Sequence, residues 1–356
     1  MKAAWSNGWR RVAVNGELML REASFYEKLD GNKVHCHLCR HNCLIAEDKR
    51  GICGVRENRG GVLYSLVYGM PCSWHVDPIE KKPFFHFFPG SKAFSIATAG
   101  CNFKCLHCQN YEISRMPMDN TQIVGQKMSP QEAVELAQRS GCKSISYTYT
   151  EPTIFYEYAL DIAKLAKEHG IRNNFVTNGY IQEEPLKAIQ PYLDGANIDL
   201  KGFNADFYKM VCGADLSRVL DTIRLYKKLG IWIEITTLII PGHNDSEKEL
   251  QGIAQFIKDE LGAETPWHVS AFYPTYKLLD VNRTSPEALH RARQIGIEEG
   301  LRYVYEGNIP GSDGENTYCY HCNKPVIRRY GYTITEYNIK NSACTFCGTT
   351  IDGIGL

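Results

Sequence analysis

From about Lys92 to Asn308, short apolar runs alternate with amphipathic stretches of helical period. The runs are "KAFSIATA", "KSISYTYT", "RNNFVTN", "GANIDLK", "IWIEITTLII", "WHVSAFYP" and "LRYVYEGN", rich in β-branched and aromatic residues and of strand length. Between them lie "SPQEAVELAQRSG", "PTIFYEYALDIAKLAKEHG" and "DSEKELQGIAQFIKDELG". Several such stretches open on Ser, Thr or Asp and close on Gly, which predicts helix caps at those places. Strand and helix repeating at this spacing predict parallel βαβ units. Six or seven units allow a doubly wound sheet or a barrel, whole or partial.

The polar residues favour a partial barrel. A cysteine triplet follows the first strand, "TEP" (Thr150 to Pro152) the second and "TNGY" (Thr177 to Tyr180) the third. "DLK" ends the fourth, "IPGHND" follows the fifth and "AFYP" ends the sixth. In parallel barrels chemistry gathers at the C-terminal ends of the strands, so six units marked at one end predict an active mouth. Period-two alternation adds inward candidates: Tyr147, Tyr149 and Glu151; Asn197, Asp199 and Lys201; His268, Ser270 and Phe272. Glu234, a charge on the strand "IWIEITTLII", is either a substrate-site residue or paired inside the barrel, because buried charges are paired.

Charge adds little. Lys plus Arg equals Asp plus Glu at 40 each, so no global field favours nucleic acid or an anionic membrane. The first residues, "MKAAWSNGWRRVAVNGELML", hold no apolar run long enough for a secretory signal, and "ITTLII" is far short of a bilayer span. A cytoplasmic protein is expected.

Cysteine changes the picture more. Fourteen cysteines, clustered at short spacings in a chain of this length, point to metal rather than disulfides. Cys36, Cys39, Cys43 and Cys53 form one group, Cys101, Cys105 and Cys108 a second, and Cys319, Cys322, Cys344 and Cys347 a third. Cys72, Cys142 and Cys212 read as small buried thiols.

The triplet "CNFKCLHC" is C-x3-C-x2-C on a loop, with no fourth cysteine before Cys142. Three thiolates can hold three irons of a [4Fe–4S] cube and leave the fourth iron open to a chelating amine and carboxylate. A zinc site completed by His107 is the competing reading, but it leaves the barrel-mouth residues unexplained.

These residues resemble the cluster motif of the radical S-adenosylmethionine (SAM) superfamily. "DPIEKKPFFHFFPGSKAFSIATAGCNFKC", "SYTYTEP", "VTNGY", "NIDLKGF", "LIIPGHND", "WHVSAFYP" and "YVYEGN" extend the likeness to the branch that holds activases of glycyl-radical enzymes. The likeness is strongest to the AmmeMemoRadiSam radical enzymes, over residues 30 to 350. It implies a [4Fe–4S] cluster on Cys101, Cys105 and Cys108 whose open iron chelates SAM. Reductive cleavage then yields a 5′-deoxyadenosyl radical that abstracts hydrogen from a substrate the sequence does not name. It implies cofactor contacts from Glu151, at the family's Gly-Gly-Glu segment, from Asp199 and Lys201 at its Asp-x-Lys pair, and from His268; Asn178, in the "TNGY" turn, is either a turn residue or a further ligand contact. Two departures stand out. Tyr149 and Thr150 replace the glycine pair, and His107 stands where an aromatic residue packs on adenine.

The outer groups read as metal modules. "CYHC…CTFC" gives tetrathiolate geometry around a β-rich hairpin, for which structural zinc is expected. "CHLCRHNCLIAEDKRGIC" is a second four-thiolate set, for zinc or a second, electron-relaying cluster, with His35, His37 and His41 as alternative ligands. The expected organisation is a cysteine-rich region over residues 1–91, a partial (β/α)6-type TIM barrel over 92–310 and a zinc-ribbon-like module over 311–356. The expected activity is that of a radical SAM enzyme, served by an external one-electron reductant. By resemblance, Memo-like and AMMECR-like proteins are expected as candidate partners. A glycyl-radical activase and a non-catalytic metal scaffold or electron carrier are the rivals.

Overall fold

The computed structural model describes residues 20–309 and 311–356, so the stretch read for a leader lies outside it up to residue 19, as does residue 310. Eight strands form the central sheet: β1 (Pro71–Pro78), β2 (Lys92–Thr98), β3 (Ser144–Tyr147), β4 (Arg172–Thr177), β5 (Gly195–Asp199), β6 (Trp232–Ile239), β7 (Trp267–Ala271) and β8 (Val304–Gly307). The seven apolar runs are β2 to β8, and every adjacent pair among them is parallel. The polar, proline-bounded β1 adds an antiparallel edge beside β2.

Each strand lies beside its chain neighbour, in the order β8 to β1. Right-handed crossovers with no reversal of order put every connecting helix on one face, so the sheet curls inside its helices. β1 and β8 are the two sheet edges and the barrel stays open. The main crossover helices are α1 (Pro130–Arg139), α2 (Tyr156–Glu168), α3 (Glu183–Ile189), α4 (Leu216–Lys228), α5 (Glu247–Phe256) and α6 (Pro286–Glu298). Their starts obey the caps read from sequence. Ser129 and Glu132 form a reciprocal capping box on α1, and Asp215, Ser246 and Ser285 cap α4, α5 and α6.

The base of the barrel, where the parallel strands begin, is plugged by the segment between β1 and β2. Glu234 accepts hydrogen bonds there from the backbone N–H of Phe85 (3.0 Å) and His86 (2.9 Å) and from Trp232 Nε1 (3.2 Å), and pairs with His268 Nε2 at 2.7 Å. The two readings of Glu234 resolve in favour of a pair inside the barrel. His268 belongs to this base, edge-on to Phe85 and stacked on Tyr305.

The cysteine-rich ends sit differently. Residues Val34, Cys36, Leu38, Ile45, Cys53 and Val55 share one apolar core with the barrel, and the buried Arg56–Glu157 ion pair ties them to α2. The C-terminal hairpin (Pro325–Tyr330 and Thr333–Tyr337) packs beneath the base. Its buried Arg329 donates to the Phe85 carbonyl at 3.0 Å and lies 4.1 Å above the Phe85 ring.

Candidate functional site

The loop after β2 carries the triplet and is held on three sides. Gly100 N donates to Ile113 O (2.9 Å), Lys104 N to Cys212 O (2.8 Å) and Leu106 N to Val211 O (3.0 Å). Gly100 has φ +103°, and a Cβ there would meet Val55 Cγ1 at 2.7 Å and the Cys53 carbonyl at 3.1 Å. Only glycine fits that approach.

Polar donors point at the sulfurs. The Phe103 N–H lies 3.4 Å from Cys101 Sγ, Asn178 Nδ2 lies 3.9 Å from the same atom, and Cys108 Sγ meets Ser114 Oγ at 3.2 Å. Cys105 is buried beside Cys212, and this thiol contact, against burial and with help from the Lys201 ammonium, holds its pKa below the ordinary thiol value. Burial first, then the Glu151 charge, pushes Cys101 well up. Among the described residues, the three triplet sulfurs are not one of the groups packed within 4.8 Å of one another. A cubane asks for that wider spread, because each cysteine binds a different iron. The donor set and its spacing therefore fit a cluster better than one ion with His107, whose ring is buried and stacked on Phe207.

Asp199, at the end of β5, pairs with Lys201 Nζ at 2.7 Å. The pair is partly open to solvent, at 35% and 16% exposure, and Lys201 is near enough to Cys105 to shift it. Asn178 bridges the β4 turn to the triplet loop through Asn102 Oδ1 at 2.7 Å, and Gly179 makes that turn at φ +69°. Cys101, Cys105, Cys108, Asn178, Asp199 and Lys201 are thus brought to one mouth.

Glu151 and His268 behave otherwise. Glu151 is 1% exposed, and its carboxylate accepts from Thr153 N (3.0 Å), Thr153 Oγ1 (2.5 Å), Thr177 Oγ1 (2.8 Å) and Asn178 N (2.8 Å). Both oxygens are engaged by the chain, and Glu151 thereby clamps the ends of β3 and β4. His268 has its Nε2 committed to Glu234 at the barrel base.

Inward alternation also fails along "YTYTE". The Tyr147 hydroxyl bonds Asn173, whose amide reaches the α2 backbone, so Tyr147 faces the helices. Tyr149 then adopts φ +63°, the left-handed conformation that costs a side-chain-bearing residue about 1–2 kcal/mol. Its backbone takes the path expected of a glycine, and its hydroxyl donates to Asp77 at 2.5 Å. Lys82, 2.7 Å from Asp77, lies 4.1 Å above the Tyr149 ring. Sequence reasoning missed Asp77 and Lys82 because both precede the first predicted strand. It also left Cys212 as a mere core thiol, and no spacing signal links it to Cys105. Cys142 and Cys212 are buried as expected, whereas Cys72 is only partly so.

The outer cysteines differ in spacing. Cys319 and Cys347 sulfurs lie 3.7 Å apart, Cys322 and Cys344 3.8 Å, and all four fall within 4.8 Å of one another. Bonds of about 2.3 Å to one tetrahedral ion give edges of about 3.8 Å, so this site is shaped for a single metal. Cys36, Cys39, Cys43 and Cys53 line one cavity together with Arg56. His35 and His37 turn instead to Glu27, at 3.2 and 3.3 Å, and His41 to the Asn102 carbonyl at 2.8 Å.

No helix among the described residues is long and apolar enough to cross a membrane. The family model described as "Radical SAM superfamily" matches residues 95–257. The chain is 53% identical over 335 residues to uncharacterized protein MJ0808 of Methanocaldococcus jannaschii, covering 94% of this chain and 99% of that one. It is 26% identical to a pyruvate formate-lyase-activating enzyme of Clostridium pasteurianum, over 58% of this chain and 89% of the other. A probable GTP 3′,8-cyclase of Pyrococcus horikoshii is 27% identical, over 67% and 80%. The curled parallel sheet, the three-cysteine loop at its mouth and these matches agree: the chain belongs to the radical SAM superfamily.

Proposed function

We propose that the protein is a radical SAM enzyme that cleaves SAM reductively at the barrel mouth and uses the resulting radical to take hydrogen from a substrate. One observation carries the reading. Three thiols, of which Cys101 and Cys108 have polar partners on their sulfurs, share a mouth with the partly open Asp199–Lys201 pair. Cys101, Cys105 and Cys108 would hold the cluster, which supplies the electron that breaks the sulfonium bond when SAM is bound.

The chain's own residues then bind and orient. Asp199 offers a carboxylate to the cofactor's ammonium or ribose hydroxyls, and Lys201 offers its charge to the cofactor's carboxylate. Asn178 steadies the loop that carries Cys101. Glu151 is a positioning residue that holds the β3 and β4 ends in register with that loop. The C-terminal set holds structural zinc, because four thiols closed around one tetrahedral position leave no ligand site open.

Anaerobically purified protein, reduced with dithionite and given SAM, forms 5′-deoxyadenosine on this reading. Replacing Cys101, Cys105 and Cys108 with alanine abolishes the product. Wild type that carries an intact cluster yet forms none would establish the non-catalytic scaffold instead. The likeness to a pyruvate formate-lyase-activating enzyme supports a second reading of the substrate, the backbone of a glycyl-radical protein. A protein-borne glycyl EPR signal, generated in a candidate partner, tests it.

A further inference from the structure

We propose that Cys36, Cys39, Cys43 and Cys53 hold a second [4Fe–4S] cluster, with Arg56 as an N–H donor to it. The cluster is placed to pass single electrons from an external low-potential carrier to the barrel mouth. The relay rests on the reading of the mouth given above; the cluster itself does not.

Three observations carry the cluster. All four cysteines line one cavity, whose other walls include the apolar Leu38, Ile45, Ile52 and Ile154. Among the described residues they are not a group within 4.8 Å of one another, although the C-terminal four are. A shared cavity with wide sulfur spacing suits four thiolates on four different irons and leaves a single ion underbonded. Finally, Arg56 lines the same cavity, is 2% exposed, and its Nε finds no hydrogen-bond partner among the described residues. An unpaired buried donor of this kind is costly unless an acceptor fills the space, and the sulfurs of an anionic cluster are acceptors. Hydrogen bonds and positive charge at such sulfurs are among the features that set a cluster's potential. The remaining nitrogens of Arg56 are committed, to the Ser24 carbonyl at 3.1 Å and to the buried Glu157.

Position carries the relay. The Cys53 carbonyl would lie 3.1 Å from a Cβ on Gly100, the residue before Cys101. His41 bonds the Asn102 carbonyl, and Arg40 N donates to the Tyr180 carbonyl at 2.9 Å. The N-terminal site therefore shares backbone contacts with both loops that frame the mouth. The step balances simply. The carrier loses one electron, the second cluster is reduced by one electron and then reoxidised as it hands that electron on, and no atoms move.

The test uses the full chain purified anaerobically with Cys101, Cys105 and Cys108 replaced by alanine. About four irons and about four acid-labile sulfides per chain should remain, with the Mössbauer signature of a [4Fe–4S] cluster, and both should vanish on adding Cys36→Ser and Cys39→Ser. Zinc in both outer sites without labile sulfide overturns the cluster, and so does iron that survives the serine substitutions. The double change Arg56→Met with Glu157→Gln, which leaves no charge unpaired, should shift that cluster's midpoint potential downward; an unchanged potential removes Arg56 from the proposal. For the relay, Cys36→Ser/Cys39→Ser in the otherwise native enzyme should depress deoxyadenosine formation driven by reduced ferredoxin on the order of tenfold more than formation driven by dithionite. Equal losses overturn the relay and leave the cluster standing. A wild type that forms no deoxyadenosine defeats the proposed function and the relay with it, while the iron and sulfide count still decides the cluster.

Discussion

The two four-cysteine sites have the same ligands and opposite designs. At the base, four sulfurs lie at tetrahedral distances under a hairpin with its own small core. At the mouth, Cys36 and Cys53 are built into the barrel's core, and all four cysteines line a cavity with a buried guanidinium. Ligand count is equal, so sulfur spacing and surroundings carry the distinction between one ion and a cluster. The difference extends to the regions around them. The base consists of closed pairs such as Glu234–His268, whereas the mouth keeps the Asp199–Lys201 pair partly open. Breaking the base should cost stability and spare cofactor binding; breaking the mouth should do the reverse.

The largest effect is expected from Arg329→Leu. It strands Glu80, 3.9 Å from the guanidinium and itself fully buried, and leaving one partner of a buried pair uncompensated costs about 3–5 kcal/mol. Chemical denaturation should show that loss, while SAM affinity of the surviving folded protein stays unchanged. An equal loss of affinity would mean that base and mouth are not separable.

Acid should loosen the base next. Burial holds the His86 pKa down at about 4, from an ordinary value of 6.5, with the ring set between the Asp352 carbonyl and the Tyr305 hydroxyl. The unfolded chain takes up this proton near pH 6.5 and the folded chain only near pH 4. Folding stability contributed by neutral His86 is therefore complete above about pH 6.5 and falls as pH drops toward 4, by roughly 3 kcal/mol over the window. His86→Gln should flatten that part of the pH–stability curve. A curve as steep in the variant as in wild type would move the acid sensitivity elsewhere.

The smallest effect is expected from Glu151→Gln. Its oxygens join Thr153, Thr177 and Asn178, and weakening such charged bonds costs about 1–3 kcal/mol. Because the clamp steadies Asn178, SAM affinity should fall with stability, and both should recover partly with Glu151→Asp. Affinity lost with stability intact would restore a direct contact between this carboxylate and the cofactor.

The barrel was legible because β2 to β8 are apolar runs separated by capped amphipathic stretches. The β1 strand, "PCSWHVDP", was not, since an edge strand can stay polar and its pairing with β2 is non-local. The triplet and the Asp-x-Lys pair were legible from spacing. Side-chain direction was less so. Tyr149 breaks the period of two by going left-handed, and Glu151 follows it into the protein. His268 was assigned by resemblance to the mouth although its chemistry is met by Glu234, a partner 34 residues earlier that no local pattern connects to it. The union of the N-terminal cysteines with the barrel core was likewise invisible, because Gly100 against Cys53 and Arg56 against Glu157 are long-range contacts.

On this reading the triplet at the mouth, and neither outer set, presents the iron that meets SAM. EPR of the dithionite-reduced protein, recorded with and without SAM, tests it directly. A [4Fe–4S]+ signal that SAM perturbs is expected in wild type and in Cys36→Ser/Cys39→Ser, with no SAM-dependent change once Cys101, Cys105 and Cys108 are replaced by alanine. A triple variant whose signal still responds to SAM would contradict it.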